Sequence, residues 1–186
     1  MELHLVLLGI LLISTSGLSL QLFFKNQNQD RSSRDATLSL LRYTVPLATL
    51  GSFSLYYFEV GNFPTYSVIL TLGTGLIILG LLLRWYAVLR LKKLFTVQLT
   101  IQENHQLIRK GLYKHIRHPS YLGMIIYFLG LGLLMHNYLS ILVLLSLPFL
   151  AIYMRIKAEE ALLLHHFKEE YREYQKHSAR LIPFIY

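Results

Sequence analysis

Apolar residues in this chain are gathered into long uninterrupted blocks. The blocks cover residues 3–24, 38–60, 65–83, 121–136 and 139–154. A helix of about 20 apolar residues crosses the hydrocarbon core of a bilayer, and a chain in lipid must satisfy its own backbone hydrogen bonds, which favours helices. The pattern predicts an all-α integral membrane protein with about five transmembrane helices. The last two blocks are short and predict a tight helical hairpin over residues 121–154.

Two polar segments, residues 84–120 and 155–186, flank this hairpin and are too long to be simple turns. We therefore divide the chain into an N-terminal unit of three spans, residues 1–83, and a C-terminal unit, residues 84–186. Alternation in the first polar segment predicts an extended strand around residues 96–101, followed by a turn at Gly111. Residues 157–176 predict one amphipathic helix, with an apolar stripe of Leu163, Phe167, Tyr171 and Tyr174.

The 18 Lys and Arg residues lie in three polar regions, which are residues 25–42, residues 84–117 and the part of the chain after residue 154. With five crossings, these three regions face the same side of the membrane. Because cytoplasmic loops carry an excess of Lys and Arg, we predict a multi-pass protein with the N-terminus outside and both long polar segments in the cytoplasm. The net charge of +8 suits an anionic membrane surface, and we predict membrane lipids, and no nucleic acid, as partners.

Candidate chemistry lies at the cytoplasmic ends of the hairpin. The chain has no cysteine, which excludes disulfides and thiolate chemistry. Arg155 lies at the end of an apolar span, where a charged side chain costs free energy unless it has a partner or a functional role. The plainer interpretation treats Arg155 and Glu159 as a weak i,i+4 ion pair and Arg117-His118-Pro119 as an interfacial anchor. Together with His105 and His118, these residue types are also suited to a charged cofactor beside a substrate that carries an acyl chain.

Three motifs occur in order along the C-terminal unit. They are "HQLIRKGLYKHIRHPSYLG" at residues 105–123, "RIKAEEALLLHHF" at 155–167 and "EEYREYQKHSARLIPF" at 169–184. Their Arg-His-Pro-x-Tyr and Arg-x-x-x-Glu-Glu patterns, at this spacing around a short hairpin, resemble the isoprenylcysteine carboxyl methyltransferase family of membrane enzymes. The resemblance covers residues 84–184. One departure is Lys168, which stands where the family has a glycine after the phenylalanine.

The resemblance implies S-adenosylmethionine-dependent methyl transfer to the C-terminal carboxylate of a prenylated cysteine, with residues 84–186 as the catalytic region. The substrate would be a molecule of the bilayer with a prenyl chain, and no metal is implied. Arg155 and Glu159 would be the catalytic pair, with Arg155 on the substrate side. The implied cofactor contacts are Gln98, His105, Gln106, Leu107, Ile108, Tyr113, His118, Pro119, Ser120, Tyr121 and Glu159.

Two other functions remain open at this point. A related membrane methyltransferase could act on a lipid amine or a small thiol, and an amine would need a base such as His118 or Glu160. A carboxylate acceptor, with a pKa of about 3.5, is already ionised and needs none. A non-enzymatic scaffold would use its basic loops to bind anionic lipid. Glycines at 73, 75 and 80 and at 123, 130 and 132 predict close helix approach, within one chain or between two.

Overall fold

The computed structural model of the protein describes residues 36–91 and 106–182. Its helices are α1 (Ala36–Tyr57), α2 (Ser67–Leu91), a short 3-10 helix (Gly111–Lys114), α3 (Pro119–Leu134), α4 (Tyr138–Phe167) and α5 (Glu169–Lys176). These two ranges contain isolated backbone bridges and no strand, so the all-helical class is confirmed for them. The predicted first span, residues 3–24, and the predicted strand at 96–101 lie outside the described residues.

Two helices of the described chain, α2 and α4, are long and apolar enough to cross a membrane. Large apolar side chains on their outer faces are exposed, among them Leu72, Leu82 and Leu142, as expected for a surface in contact with lipid. The 30 residues of α4 correspond to about 45 Å, longer than a bilayer core of roughly 30 Å. The apolar part of α4 ends at Met154, and charged residues begin at Arg155. The count of five crossings and the orientation stay predictions.

Two helices differ in extent from the sequence prediction. The helix that contains the span predicted for residues 65–83 runs from Ser67 to Leu91, so residues 84–91, which the sequence placed in the connector, are helical. The reason is that Arg84 and Arg90 favour helix almost as well as leucine does, and no Gly or Pro interrupts the segment. The single tail helix predicted for residues 157–176 is also wrong, because α4 ends at Phe167 and α5 begins at Glu169.

The predicted hairpin is present as α3 and α4, joined by a turn at residues 135–137. Asn137 organises this turn: its side-chain oxygen accepts a hydrogen bond from the Ser140 N–H at 2.8 Å and caps α4. Its side-chain nitrogen donates to the Val60 carbonyl at 2.7 Å and to Asn62 Oδ1 at 2.6 Å. Asn137 is completely buried, so it joins the α1–α2 loop to the hairpin at the end of the molecule away from the polar segments.

Paired glycines bring α2 and α3 into backbone contact. A Cβ on Gly80 would lie 2.6 Å from the Gly123 carbonyl oxygen, and one on Gly130 would lie 2.6 Å from the Gly73 carbonyl oxygen. Small residues allow helices in lipid to gain close packing where no hydrophobic driving force exists between them. The predicted close approach is therefore found within one chain. Gly132 instead packs against Ile141 of α4, and Gly75 faces open space.

We expect Gly80→Ala to destabilise the protein by about 2 kcal/mol, because the added methyl group meets backbone atoms that cannot move independently. Gly75→Ala is the matched control on the same helix, and it should leave stability unchanged or raise it by up to about 1 kcal/mol through helix propensity. Thermal unfolding of the purified protein in detergent measures both. Equal effects of the two substitutions would contradict the close contact between α2 and α3.

Lys168 separates α4 from α5 with φ 47° and ψ −117°, a backbone conformation that glycine adopts far more readily than lysine. Lys168→Gly should therefore raise stability by about 1 kcal/mol, the lower end of the cost of such strain. Lys168→Ala removes the same charge but keeps a Cβ, so it should bring no gain. A rise in the unfolding temperature with both substitutions would assign the effect to charge and not to the backbone.

Candidate functional site

His118, Tyr121 and Glu159 meet where α3 begins and the polar part of α4 passes. His118 is the N-cap residue of α3 and is buried. Its Nδ1 lies 3.9 Å from Glu159 Oε2, and the Tyr121 hydroxyl donates a hydrogen bond of 3.2 Å to the same oxygen. Pro119 occupies the first position of α3, where its missing N–H costs nothing. The structure thus brings together residues from two of the three sequence motifs.

Glu160, the neighbour of Glu159, is the most heavily bonded carboxylate of the site. Its side chain is 7% exposed and accepts hydrogen bonds from Arg117 Nε at 2.8 Å and Arg180 Nε at 2.9 Å, and its Oε1 lies 3.3 Å from His118 Nε2. Burial alone would raise the pKa of Glu160, but the bonds to His118, Arg117 and Arg180 outweigh burial and lower the pKa from its ordinary 4.5 to about 2. Glu160 is therefore a permanent carboxylate at neutral pH.

The tail after α5 folds directly onto the connector before α3. The Arg117 N–H donates to the Ala179 carbonyl at 2.9 Å, the Ala179 N–H donates to the His115 carbonyl at 2.9 Å, and the His118 N–H donates to the Arg180 carbonyl at 3.2 Å. Arg117 also donates from its guanidinium to the Ser178 carbonyl. These bonds satisfy backbone groups that lie outside regular structure. The two polar segments consequently form one unit at the end of the hairpin.

The end of α2 that the sequence assigned to the connector also contributes to the site. Arg84 donates a hydrogen bond to the Ser120 hydroxyl at 3.3 Å, and the Tyr113 hydroxyl, which is buried, donates to the Ala87 carbonyl at 3.3 Å. Sequence reasoning missed Arg84 because it placed the end of the span at residue 83. The helix-favouring composition of residues 84–91 was the available signal.

The remaining predicted site residues fall into three groups. Arg155 is 3% exposed on α4 and donates to the Thr37 hydroxyl of α1 at 2.9 Å. Gln106, Leu107 and Ile108 precede the 3-10 helix, with Gln106 exposed and the other two half-buried. Gln98 and His105 lie outside the described residues. Across residues 36–91 and 106–182, no three His, Asp or Glu side chains are grouped to hold a metal ion.

Comparison with known proteins relates this arrangement to one family. The model of the Isoprenylcysteine carboxyl methyltransferase (ICMT) family matches residues 71–165. An Arabidopsis thaliana protein-S-isoprenylcysteine O-methyltransferase, form B, is 31% identical over 144 residues, which are 75% of this chain and 73% of that protein. The chain belongs to the isoprenylcysteine carboxyl methyltransferase family. The matched range includes the described site residues except Thr37 and those of the tail.

Two further similarities extend the family assignment. The Schizosaccharomyces pombe protein-S-isoprenylcysteine O-methyltransferase is 34% identical over 122 residues, or 64% of this chain, and the chain spans only 52% of that relative's length. A solved structure of the eukaryotic intramembrane Ras methyltransferase ICMT superposes with a TM-score of 0.80 at 25% identity, over 99% of this chain and 67% of that one. Together with the exposed apolar helices, these likenesses make the protein a membrane protein with the ICMT fold.

Within this family member, Glu160→Gln should destabilise the fold by about 3 kcal/mol. It removes the countercharge of Arg117 and Arg180, whose side chains are 9% and 24% exposed. Glu173→Gln, on the exposed face of α5 with Lys176 at 2.9 Å, is the control and should change stability by less than about 0.5 kcal/mol. Thermal unfolding at pH 7 measures both.

The ionisation of Glu160 should also make the stability of the protein depend on pH. A folded-state pKa below the ordinary value means that the Glu160 contribution is fully present above about pH 4.5 and is lost as the pH falls toward 2. The stability gap between the wild type and Glu160→Gln should therefore shrink across that range. A constant gap would contradict the ionised state assigned to Glu160.

Proposed function

We propose that this protein transfers a methyl group from S-adenosylmethionine to the C-terminal carboxylate of a prenylated cysteine. The observation that carries the proposal is the convergence of His118, Tyr121 and Glu159 with Arg155 at the polar end of the hairpin. The names of the relatives, which are protein-S-isoprenylcysteine O-methyltransferases, support the same reaction.

The residues present fit S-adenosylmethionine, whose ammonium, carboxylate and sulfonium groups require both signs of charge nearby. The Glu159 side chain is 35% exposed, and its hydrogen bond from Tyr121 leaves lone pairs for an ammonium group. Arg84 and His118 are basic groups close to the start of α3 and are suited to a carboxylate. When bound, the cofactor supplies an electrophilic methyl group.

The chain's own residues then have to align the acceptor and exclude water. A C-terminal carboxylate is ionised at neutral pH, so no side chain has to remove a proton. Arg155, buried beside Tyr121, would orient this carboxylate toward the methyl group, since a guanidinium matches carboxylate geometry. Positioning of two reacting groups can account for a large part of such a rate enhancement.

The prenyl chain would lie along the apolar surface of the hairpin. Ile125 follows Tyr121 by one helical turn and lines an open groove between α3 and α4 together with Ile141, Leu145 and Phe149. Each buried CH₂ group contributes about 0.8 kcal/mol, so a long isoprenoid would bind such a surface well. This arrangement also agrees with the proposed topology, in which five spans hold the site on the cytoplasmic side and the substrate enters from the bilayer.

Transfer to a lipid amine or a small thiol is the second candidate. An amine acceptor needs a general base whose pKa lies near the working pH. Glu160, with a pKa of about 2, is a poor base, so His118 is the remaining candidate from the sequence. The lowered Glu160 pKa therefore removes one of the two bases that an amine acceptor could use.

The purified full chain should bind S-adenosylmethionine in calorimetric titration and should transfer labelled methyl groups to N-acetyl-S-farnesylcysteine. The rate should change little between pH 6 and 8, because the carboxylate acceptor stays ionised. Phosphatidylethanolamine and a simple thiol serve as the competing acceptors in the same assay. Preferential labelling of either one would replace the prenylcysteine assignment, and a complete lack of cofactor binding would favour the lipid-binding scaffold.

Two substitutions separate the proposed roles. Glu159→Ala should weaken cofactor binding more than tenfold through loss of a charge-assisted hydrogen bond, whereas Arg155→Ala should spare binding and lower turnover. Glu173→Ala on the exposed face of α5 is the control for both. The reverse order of effects would show that these two roles are wrongly assigned.

A further inference from the structure

Arg155 is held by a residue of α1, outside the region that the family model covers. Arg155 is 3% exposed, and its guanidinium carries five N–H donors in a fixed plane. Buried donors of this kind require acceptors. One donor is satisfied by Thr37 Oγ1 at 2.9 Å, and Thr37 is the second residue of α1.

The position of Thr37 is fixed by the packing of α1 on α4. Leu41, one turn later on the same face, packs against the buried cluster of Ile152, Ile156 and Leu181. Further along, the Ser140 hydroxyl donates to the Ser52 carbonyl at 2.8 Å. A β-branched threonine also has few side-chain rotamers in a helix. The hydroxyl of Thr37 is therefore presented to Arg155 by a rigid element.

The guanidinium held in this way belongs to the cluster of the candidate site. Arg155 also interacts with Tyr121, whose hydroxyl donates to Glu159 at 3.2 Å. A run of polar contacts thus extends from α1 through α4 to α3. Thr37 accepts from one edge of the guanidinium without itself adding a countercharge, so it orients this group and does not compete with a carboxylate ligand for charge.

We propose that Thr37 is a positioning residue that acts through Arg155 and sets the orientation in which the guanidinium receives the acceptor carboxylate. This inference rests on the proposed function of Arg155. It makes α1 a part of the site although α1 carries none of the three sequence motifs. It also predicts that the loss of one neutral hydroxyl affects the acceptor and not the cofactor.

The test compares Thr37→Val, which keeps the shape and removes the hydroxyl, with Thr37→Ser, which keeps the hydroxyl. We expect Thr37→Val to lower kcat/KM for N-acetyl-S-farnesylcysteine about tenfold, as for loss of a hydrogen bond to a charged group. The Kd for S-adenosylmethionine should stay within about twofold, and Thr37→Ser should retain wild-type activity. Thr44→Val is the control on the same helix. The Thr44 hydroxyl donates a hydrogen bond of 2.8 Å to the Leu40 carbonyl, within its own helical turn.

A double-mutant cycle distinguishes positioning from general destabilisation. If Thr37 acts through Arg155, Thr37→Val should have no further effect on kcat/KM in the Arg155→Ala background. Three outcomes would overturn the inference while leaving the proposed function intact. They are an equal loss of kcat/KM in the Arg155→Ala background, wild-type activity of Thr37→Val, and reduced activity of Thr37→Ser. If the wild-type protein methylates no prenylcysteine, the proposed function fails, and the role of Thr37 fails with it.

Discussion

One buried carboxylate organises the polar end of this molecule. Glu160 receives bonds from the connector through Arg117 and from the tail through Arg180, and it lies beside His118 at the start of α3. These partners are far apart in the sequence, so burying the charge requires the connector, the hairpin and the tail to assemble together. A buried carboxylate without such partners would be very costly. The placement of His118 and Tyr121 near Glu159 depends on this assembly.

A second constraint acts in the apolar region. Helices in lipid gain little from hydrophobic contact with each other, so close packing must supply the attraction. The Gly80–Gly123 contact brings α2 against α3 one turn from Ser120, and this approach allows Arg84 to reach the Ser120 hydroxyl. Packing within the membrane and the geometry of the polar site are thereby linked through the same pair of helices.

Much of this arrangement follows from the sequence, and the exceptions have physical reasons. The apolar blocks predicted the helical class and the hairpin, and the motifs predicted the meeting of His118 with Glu159. The continuation of α2 through residues 84–91 was not predicted, because arginine is polar although it does not terminate a helix. The break at Lys168 was missed because lysine does not normally adopt a positive φ. The sequence around Thr37 shows no pattern that would place this residue near the site, since a single neutral hydroxyl near a helix start is common. Its contact with Arg155 is visible in the fold.

The two adjacent glutamates have different environments, and this difference narrows the chemistry. Neighbouring residues on a helix point about 100° apart, so Glu159 and Glu160 face different surroundings, although both lie near the His118 ring. Glu160 points inward to two guanidinium groups, whereas Glu159 is partly exposed and receives a hydrogen bond from the neutral Tyr121 hydroxyl. The inward carboxylate binds Arg117 and Arg180, and its lowered pKa makes it a poor base. The outward carboxylate can still accept hydrogen bonds from a cationic ligand, as the proposed binding of a positively charged methyl donor requires.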